Sequence, residues 1–266
     1  MDPERVTIEV ADHVADVRMV RAAKHNGLDS RMFAALNEAI DSLGGEPGVR
    51  AIVLSGEGPS FCAGLDFQSF LSGEGDLAGD GFERRDGEAP NRAQRVAYGW
   101  RELPVPVIAA LTGACFGGGL QIALGADIRI AAADTRLSVM ELHYGLVPDM
   151  SLWQTLGRLV RDDAARELVY TARIVAAPEA LELGLVTRVE ADPRAAAHEL
   201  AAEIAARSPD AIRRAKRLAN EAPKLSAADG LALEEALQRE LLGTPNQVAA
   251  VQAALSRQPA AFIDPA

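Results

Sequence analysis

Three consecutive glycines, Gly117-Gly118-Gly119, constrain this chain more than any other feature. They follow an apolar run at residues 105–111 (VPVIAAL) and precede residues 120–124 (LQIAL), which read as the first turns of a helix. A strand, a glycine turn and a helix start together make an anion site. The first N–H groups of a helix have no partner inside it and point outward, and the helix dipole adds partial positive charge there. Glycines let the backbone take φ > 0 and let a ligand come close. A P-loop is excluded, because no Lys follows in the required place. A dinucleotide fold would want spaced glycines after an N-terminal strand, whereas these are contiguous and mid-chain. A tight helix–sheet contact that needs small residues is the alternative reading of the same glycines.

A second segment narrows the choice. Residues 51–56 (AIVLSG) form an apolar run ending in a turn and read as a buried strand. They lead into residues 58–66 (GPSFCAGLD), another small-residue turn straight after a strand. Two such turns can each aim one backbone N–H at a single oxygen. That pair is what an oxyanion hole needs to stabilise the one charged oxygen of a thioester enolate.

Four stretches then carry a family resemblance in their order along the chain. They are Asn26-Gly27-Leu28, residues 61–66 (FCAGLD), residues 109–131 around the glycines, and residues 180–186 (ALELGLV). The chain resembles the enoyl-CoA hydratase/isomerase family, the crotonase superfamily, from about Val6 to Phe262. The resemblance implies an α/β fold, a spiral of ββα repeats holding the acyl-CoA site over residues 1–200. A C-terminal helical region over residues 201–266 would serve trimerisation. It implies a homotrimer or a dimer of trimers, an acyl-CoA substrate, and no separate cofactor, since coenzyme A belongs to the substrate. Residues 231–242 are apolar on one face and would suit the assembly role or simple packing within the chain.

The bulk composition agrees. Of 266 residues, 48% are hydrophobic and 24% charged, ordinary for a globular protein with a sizeable core. No apolar run approaches the length that spans a bilayer, and the first residues carry neither the basic nor the apolar stretch of a signal peptide. Cys62 and Cys115 lack metal-ligand spacing and sit in the two glycine turns, so a reduced, cytoplasmic protein without a metal is expected. The net charge of −11 argues against nucleic-acid binding. It also repels CoA at long range, so local basic groups and backbone donors must hold the CoA phosphates.

Patterning predicts strands at residues 14–20, 51–54, 105–111 and 127–131. It predicts helices at residues 30–43, capped by Asp29 or Ser30, at 92–102 and at 118–124. Residues 71–90, rich in Gly, Asp and Glu, read as a mobile loop. From Arg161 onward the chain is Ala-rich and helical, with breaks expected at Pro178, Pro193, Pro209, Pro223 and Pro245.

By resemblance, the oxyanion donors are the N–H groups of Leu65 and Gly118. Hydratases of the family usually carry two glutamates that hold the attacking water. Here the first position is Gln121 and the second is Glu141. A glutamine can orient water but cannot exchange a proton near neutral pH, so a two-carboxylate hydration is in doubt. Asp149, eight residues after Glu141, supplies another carboxylate. The pair resembles the dienoyl-CoA isomerase branch, although that branch has an acid where this chain has Gln121. Asp149 also resembles the nucleophilic aspartate of the 4-chlorobenzoyl-CoA dehalogenase branch, for which only Trp153 and Tyr144 hint at an aromatic pocket. Asp149 as base and Glu141 as acid would suit proton transfer, because a shared apolar pocket drives two carboxyl pKa values apart. The competing readings are a helix cap for Asp149, a surface residue for Glu141 and an inert helix position for Gln121. His143 reads as structural, with no nucleophile to serve and no Ser/His/Asp set for a peptidase.

For CoA, the resemblance implicates Ala22, Lys24, Ala63 and Asp66 around the adenine and phosphates, the family lysine lying one residue before Lys24. Arg257 and Phe262 resemble a basic–aromatic pair reaching CoA from a neighbouring subunit, with exposed surface positions as the alternative. The expectation is an enolate-stabilising acyl-CoA enzyme that shifts double bonds. The alternatives are 2-enoyl-CoA hydration and a catalytically silent acyl-CoA binder.

Overall fold

The computed structural model describes residues 4–72 and 80–265. The chain begins with a hairpin of β1 (Val6–Ala11) and β2 (Val14–Met19). Its two-residue loop, Asp12-His13, has φ of 48° and 66°, the left-handed pair that matches strand twist in a tight hairpin. The crossover helix α1 (Ser30–Gly44) is capped by Asp29, whose side chain accepts from the Met32 N–H. Met32, Phe33, Leu36, Ile40 and Leu43 recur at helical spacing and form its buried face. The chain returns parallel to β2 as β3 (Ala51–Gly56). After the short α2 (Phe67–Leu71) comes α3 (Arg92–Glu102), started by a capping box between Asn91 and Gln94.

The next unit contains the glycine run. β4 (Val107–Leu111) joins the large sheet, β5 (Ala114–Phe116) starts a second small sheet, and α4 (Gly118–Gly125) carries the chain back. β6 (Ile128–Ala131) and β7 (Arg136–Ser138) repeat that alternation. There follow α5 (Leu152–Thr155), α6 (Asp162–Thr171), β8 (Val175–Ala176), α7 (Ala177–Leu183), β9 (Arg188–Val189) and α8 (Pro193–Ala205). The helices α9 (Pro209–Glu221), α10 (Ala227–Leu241) and α11 (Pro245–Ser256) complete the chain. The large sheet has the order β1-β2-β3-β4-β6-β9, parallel throughout except for the first hairpin, and the small one the order β5-β7-β8. This is the α/β spiral expected from the resemblance.

Both faces of β3 and β4 are covered, which explains their unbroken apolar runs. On one face, α1, α3 and α4 contribute Leu36, Ile40, Trp100 and Ile122 to the main core. On the other, Ala197, Ala201 and Ala205 of α8 pack on Val53, Ile108 and Ile130, their small side chains allowing close approach.

One expectation needs correction. The strand placed at 105–111 begins only at Val107, because Pro106 has no N–H to give the ladder and serves as acceptor for the Ile52 N–H. The helical half is broken at the five expected prolines, each of which also opens the next turn: Pro178, Pro193, Pro209 and Pro245 sit in the first turns of α7, α8, α9 and α11, and Pro223 in the 3-10 turn Ala222–Lys224. There the missing N–H costs nothing. Of the stretch expected as a mobile loop, residues 73–79 lie outside the described residues. Its flanks include a 3-10 turn at Asp80–Phe82 and an isolated bridge from Arg84 to Asn91. Among the described residues, no helix is long and apolar enough to cross a membrane.

Candidate active site

The loops leaving β3 and β4 at their C-terminal ends meet side by side. Cys62 pairs with Cys115 in a parallel bridge, with Cys62 N–H donating to Ala114 O and Phe116 N–H donating to Cys62 O. Leu28 pairs with Leu65 in another. The Leu28 N–H donates to Gly64 O at 2.8 Å, and the Asp66 N–H donates to Leu28 O at 3.0 Å. In a parallel bridge the opposing residue's own N–H points away from its partner, so the Leu65 N–H is directed away from Leu28. Gly118 is the first residue of α4, and its N–H has no acceptor within the helix. A Cβ placed on Gly64, at φ +87°, would lie 2.8 Å from Phe116 O and 3.7 Å from Gly118 N. The two turns therefore touch where the two N–H groups are expected to converge.

A ring of polar side chains fixes this arrangement. Asn26 is fully buried in a left-handed conformation, φ 54°. Its Nδ2 donates to the carbonyls of Glu57, Ser60 and Phe61 at 2.8–3.1 Å, and its Oδ1 accepts from the Arg21 N–H. Arg21 donates to Gly27 O and pairs with Asp66 at 2.8 Å and Asp29 at 3.2 Å. The sequence marks Asn26 only as part of a motif and Asp29 only as a helix cap, and Arg21 escapes it. The available signal was the polar left-handed-tolerant run His25-Asn26-Gly27 between a strand and a helix.

The acid–base residues gather on the other side of the glycines. Gln121, 1% exposed, lies one turn into α4, and its Nε2 donates to Glu141 Oε1 at 2.6 Å. Glu141 opens the 3-10 turn Glu141–Tyr144, and a Cβ on Gly117 would lie 3.4 Å from its Oε1. Burial pushes the Glu141 pKa up. The hydrogen bond from Gln121 opposes this, and the charge of Asp149 adds to it. Gln121 Oε1 and Glu141 Oε2 are buried without a hydrogen-bond partner among the described residues. Asp149 is solvent-accessible, yet enough protein surrounds its carboxyl to raise its pKa as well. Its neighbour Met150 packs on α4, so that a Cβ on Gly118 would meet Met150 Sδ at 3.0 Å. The cap position of α5 falls to Ser151 rather than Asp149, which leaves the Asp149 carboxyl free of that duty. His143 is exposed and packs edge-on against Tyr144.

The candidate CoA residues divide into two groups. Ala22 and Lys24 form the 3-10 turn beside Gly58, and Lys24 Nζ donates to Gln68 Oε1. The Ala63 N–H donates to His25 O, and the Asp66 carboxylate is engaged by Arg21 and Ser69. These four surround the oxyanion turn. Arg257 ends α11 in a left-handed conformation, and Phe262 follows it on a tail whose carbonyl accepts from Arg50. Arg50 precedes β3, so that tail lies at the opposite end of the strand, roughly 20 Å away for six residues. Within one chain Arg257 and Phe262 do not join the others.

Cys62 and Cys115 are fully buried, free thiols; burial pushes Cys62 up to about 12 and Cys115 well above its ordinary value. They are inert lining rather than nucleophiles. Among the described residues, no cluster of three His, Cys, Asp or Glu is placed to hold a metal.

Comparison with known proteins matches this geometry to a family. The family model for enoyl-CoA hydratase/isomerase matches residues 9–264. YngF of Bacillus subtilis (strain 168) is 34% identical over 254 residues, 94% of this chain and 95% of that one. The human mitochondrial Delta(3,5)-Delta(2,4)-dienoyl-CoA isomerase is 33% identical over 250 residues, 91% of this chain and 76% of that protein. A crystal structure of enoyl-CoA hydratase from Bacillus anthracis superposes with a TM-score of 0.85 at 28% identity, covering 97% of this chain and 98% of that one. With a family model spanning nearly the whole length and a relative 34% identical over 94% of it, the chain belongs to the enoyl-CoA hydratase/isomerase family.

Proposed function

We propose that this enzyme shifts a double bond of an enoyl- or dienoyl-CoA by proton transfer between Asp149 and Glu141. The Leu65 and Gly118 N–H groups would bind the thioester oxygen as it gains enolate charge. The observation that carries the reading is the pairing of two carboxyls of unequal exposure. Glu141 is the more enclosed, held by Gln121 and disfavoured as an anion by burial and by the charge of Asp149. Asp149 is open to solvent. The enclosed group is then the protonated acid and the accessible one the ionised base.

In the cycle, Asp149 takes a proton from carbon, the electron pair moves into the conjugated enolate, and Glu141 delivers its proton to a distant carbon as the thioester carbonyl re-forms. Asp149 ends protonated and Glu141 ionised. A proton passed back from Asp149 to Glu141 resets the site. Gln121 cannot exchange protons, and its bond to Glu141 Oε1 leaves Oε2 to carry the transferred one. The likeness to a relative named for dienoyl-CoA isomerisation supports the same reading.

Hydration of a 2-enoyl-CoA is the second reading. It is favoured by the two unpartnered buried oxygens, Gln121 Oε1 and Glu141 Oε2, which together offer a water two acceptors. Parallel assays on 3,5-dienoyl-CoA and 2-enoyl-CoA separate the two. A 2,4-dienoyl product that disappears in Asp149→Asn supports isomerisation. Hydration that needs Glu141 but not Asp149 overturns it. Acyl-CoA binding with neither product and no proton exchange in deuterated water assigns the chain as a silent binder.

A further inference from the structure

A second cavity, of about 520 Å³, opens between the C-terminal end of α3 and the helices α9 and α10. It lies at the N-terminal end of β4, where Lys216 Nζ donates to Val105 O and pairs with Asp127 at 2.8 Å. The glycine turns sit beyond the other end of that strand, roughly 15 Å away. In a chain of net charge −11, six cations line this one cavity: Arg101, Arg213, Arg214, Lys216, Arg217 and Lys224. Only three carboxylates line it with them, Glu102, Glu221 and Glu240.

The pairing is uneven. Arg214 meets Glu240 and Arg217 meets Glu221, each at 3.0 Å. Among the described residues, no ion pair joins Arg101, Arg213 or Lys224 to a carboxylate. Arg213 reaches the Pro47 and Val49 carbonyls only at 3.5 Å, and its Nε is buried without a partner. Burial and the neighbouring charge of Arg158 lower the pKa of Arg101, and Tyr98 and Asp127 oppose them. Burial and the charge of Glu88 raise that of Glu102, and the charges of Arg95 and Lys224 oppose them. Leu103, Pro104 and Leu237 add an apolar wall beside Tyr98.

We propose that this cavity binds a small polyphosphate anion, of the nucleoside diphosphate or pyrophosphate class, separately from the acyl-CoA site. Forked guanidinium groups match phosphate oxygens, the volume suits a small ligand, and the Tyr98 wall offers a surface to a base. Calorimetric titration of the intact protein with pyrophosphate, ADP and adenosine tests it. Saturable binding of pyrophosphate and ADP is expected, with acyl-CoA turnover uninhibited at pyrophosphate concentrations that fill the cavity. It should weaken about tenfold or more in Arg101→Gln and in Lys224→Glu, with the unliganded melting temperature and turnover unchanged. Equal affinities would assign recognition to the phosphates alone, and tighter ADP would add the Tyr98 wall. Either outcome supports the site. Absence of saturable binding, unchanged affinity in both variants, inhibition of turnover by pyrophosphate in step with its binding, or binding of an acidic peptide in place of pyrophosphate would overturn it.

Discussion

Gly64→Ala isolates the contact between the two glycine turns. Gly64 has φ +87°, a conformation that costs an L-residue about 1–2 kcal/mol. Its new methyl would lie 2.8 Å from Phe116 O, a backbone atom that cannot swing aside. Ordinary contact begins near 3.4 Å, so the 62–66 and 116–118 segments must part, carrying the Leu65 N–H away from the Gly118 N–H. Removing one oxyanion donor costs roughly 10²–10³ in kcat. Total destabilisation of about 2–3 kcal/mol would lower Tm by roughly 5–10 °C for a chain of this size. Gly87 provides the control, because it has φ +83° with nothing within 4 Å of its Cβ position. Gly87→Ala should lose a similar conformational term but keep kcat. Steady-state kinetics and thermal melts on both variants decide the matter. If Gly64→Ala keeps full kcat, or if Gly87→Ala loses as much, the oxyanion assignment to these turns is wrong.

Glu141→Gln should lower kcat by about 10²–10⁴ while stabilising the fold at neutral pH. A carboxyl whose folded pKa is raised contributes stability below its unfolded pKa and loses it as pH rises through the folded value. The gain of the variant over wild type in urea melts should therefore grow from pH 4 to pH 8, and a constant difference would contradict this. Asn26→Ala strands the Glu57, Ser60 and Phe61 carbonyls and should cost about 2–4 kcal/mol in chemical denaturation; a loss under about 1 kcal/mol would show that the loop holds without it. Asp29 behaves oppositely to Glu141: burial would raise its pKa, but the hydrogen bonds from Arg5 and Met32 and the charge of Arg21 hold it low. It stabilises above its unfolded pKa and loses that contribution as pH falls through the folded one, so Asp29→Asn should flatten the acid limb of the stability curve. With Cys62 pushed up to about 12 and both thiols buried, native protein should resist alkylation at pH 8, and rapid labelling of either cysteine would refute the packing.

Much of the fold was legible because its central strands are buried on both faces and read as continuous apolar runs, and because α1 and α3 carry clean caps. The two glycine turns were legible because Gly64 at φ +87° and Gly117 at φ 53°, ψ −123° hold backbone that L side chains rarely adopt. What escaped depends on contacts remote in sequence. The Gln121–Glu141 bond joins side chains twenty residues apart and turns an unexpected glutamine into the clamp of the presumed acid. The pairs of Arg21 with Asp29 and Asp66 were hidden because ion pairs leave no periodic trace. The cationic cavity draws Arg101 together with four cations of α9, more than a hundred residues away. Prolines marked the helix boundaries, and the capping residues before Pro193, Pro209 and Pro245 show that each starts the helix that follows.

Mass analysis of the product formed from a dienoyl-CoA in ¹⁸O-enriched heavy water bears most directly on the proton-transfer mechanism. Isomerisation by Asp149 and Glu141 requires a product without added oxygen, with turnover lost in Asp149→Asn. A product bearing ¹⁸O at carbon with Asp149 dispensable would contradict it and make Gln121 and Glu141 the holders of a reacting water.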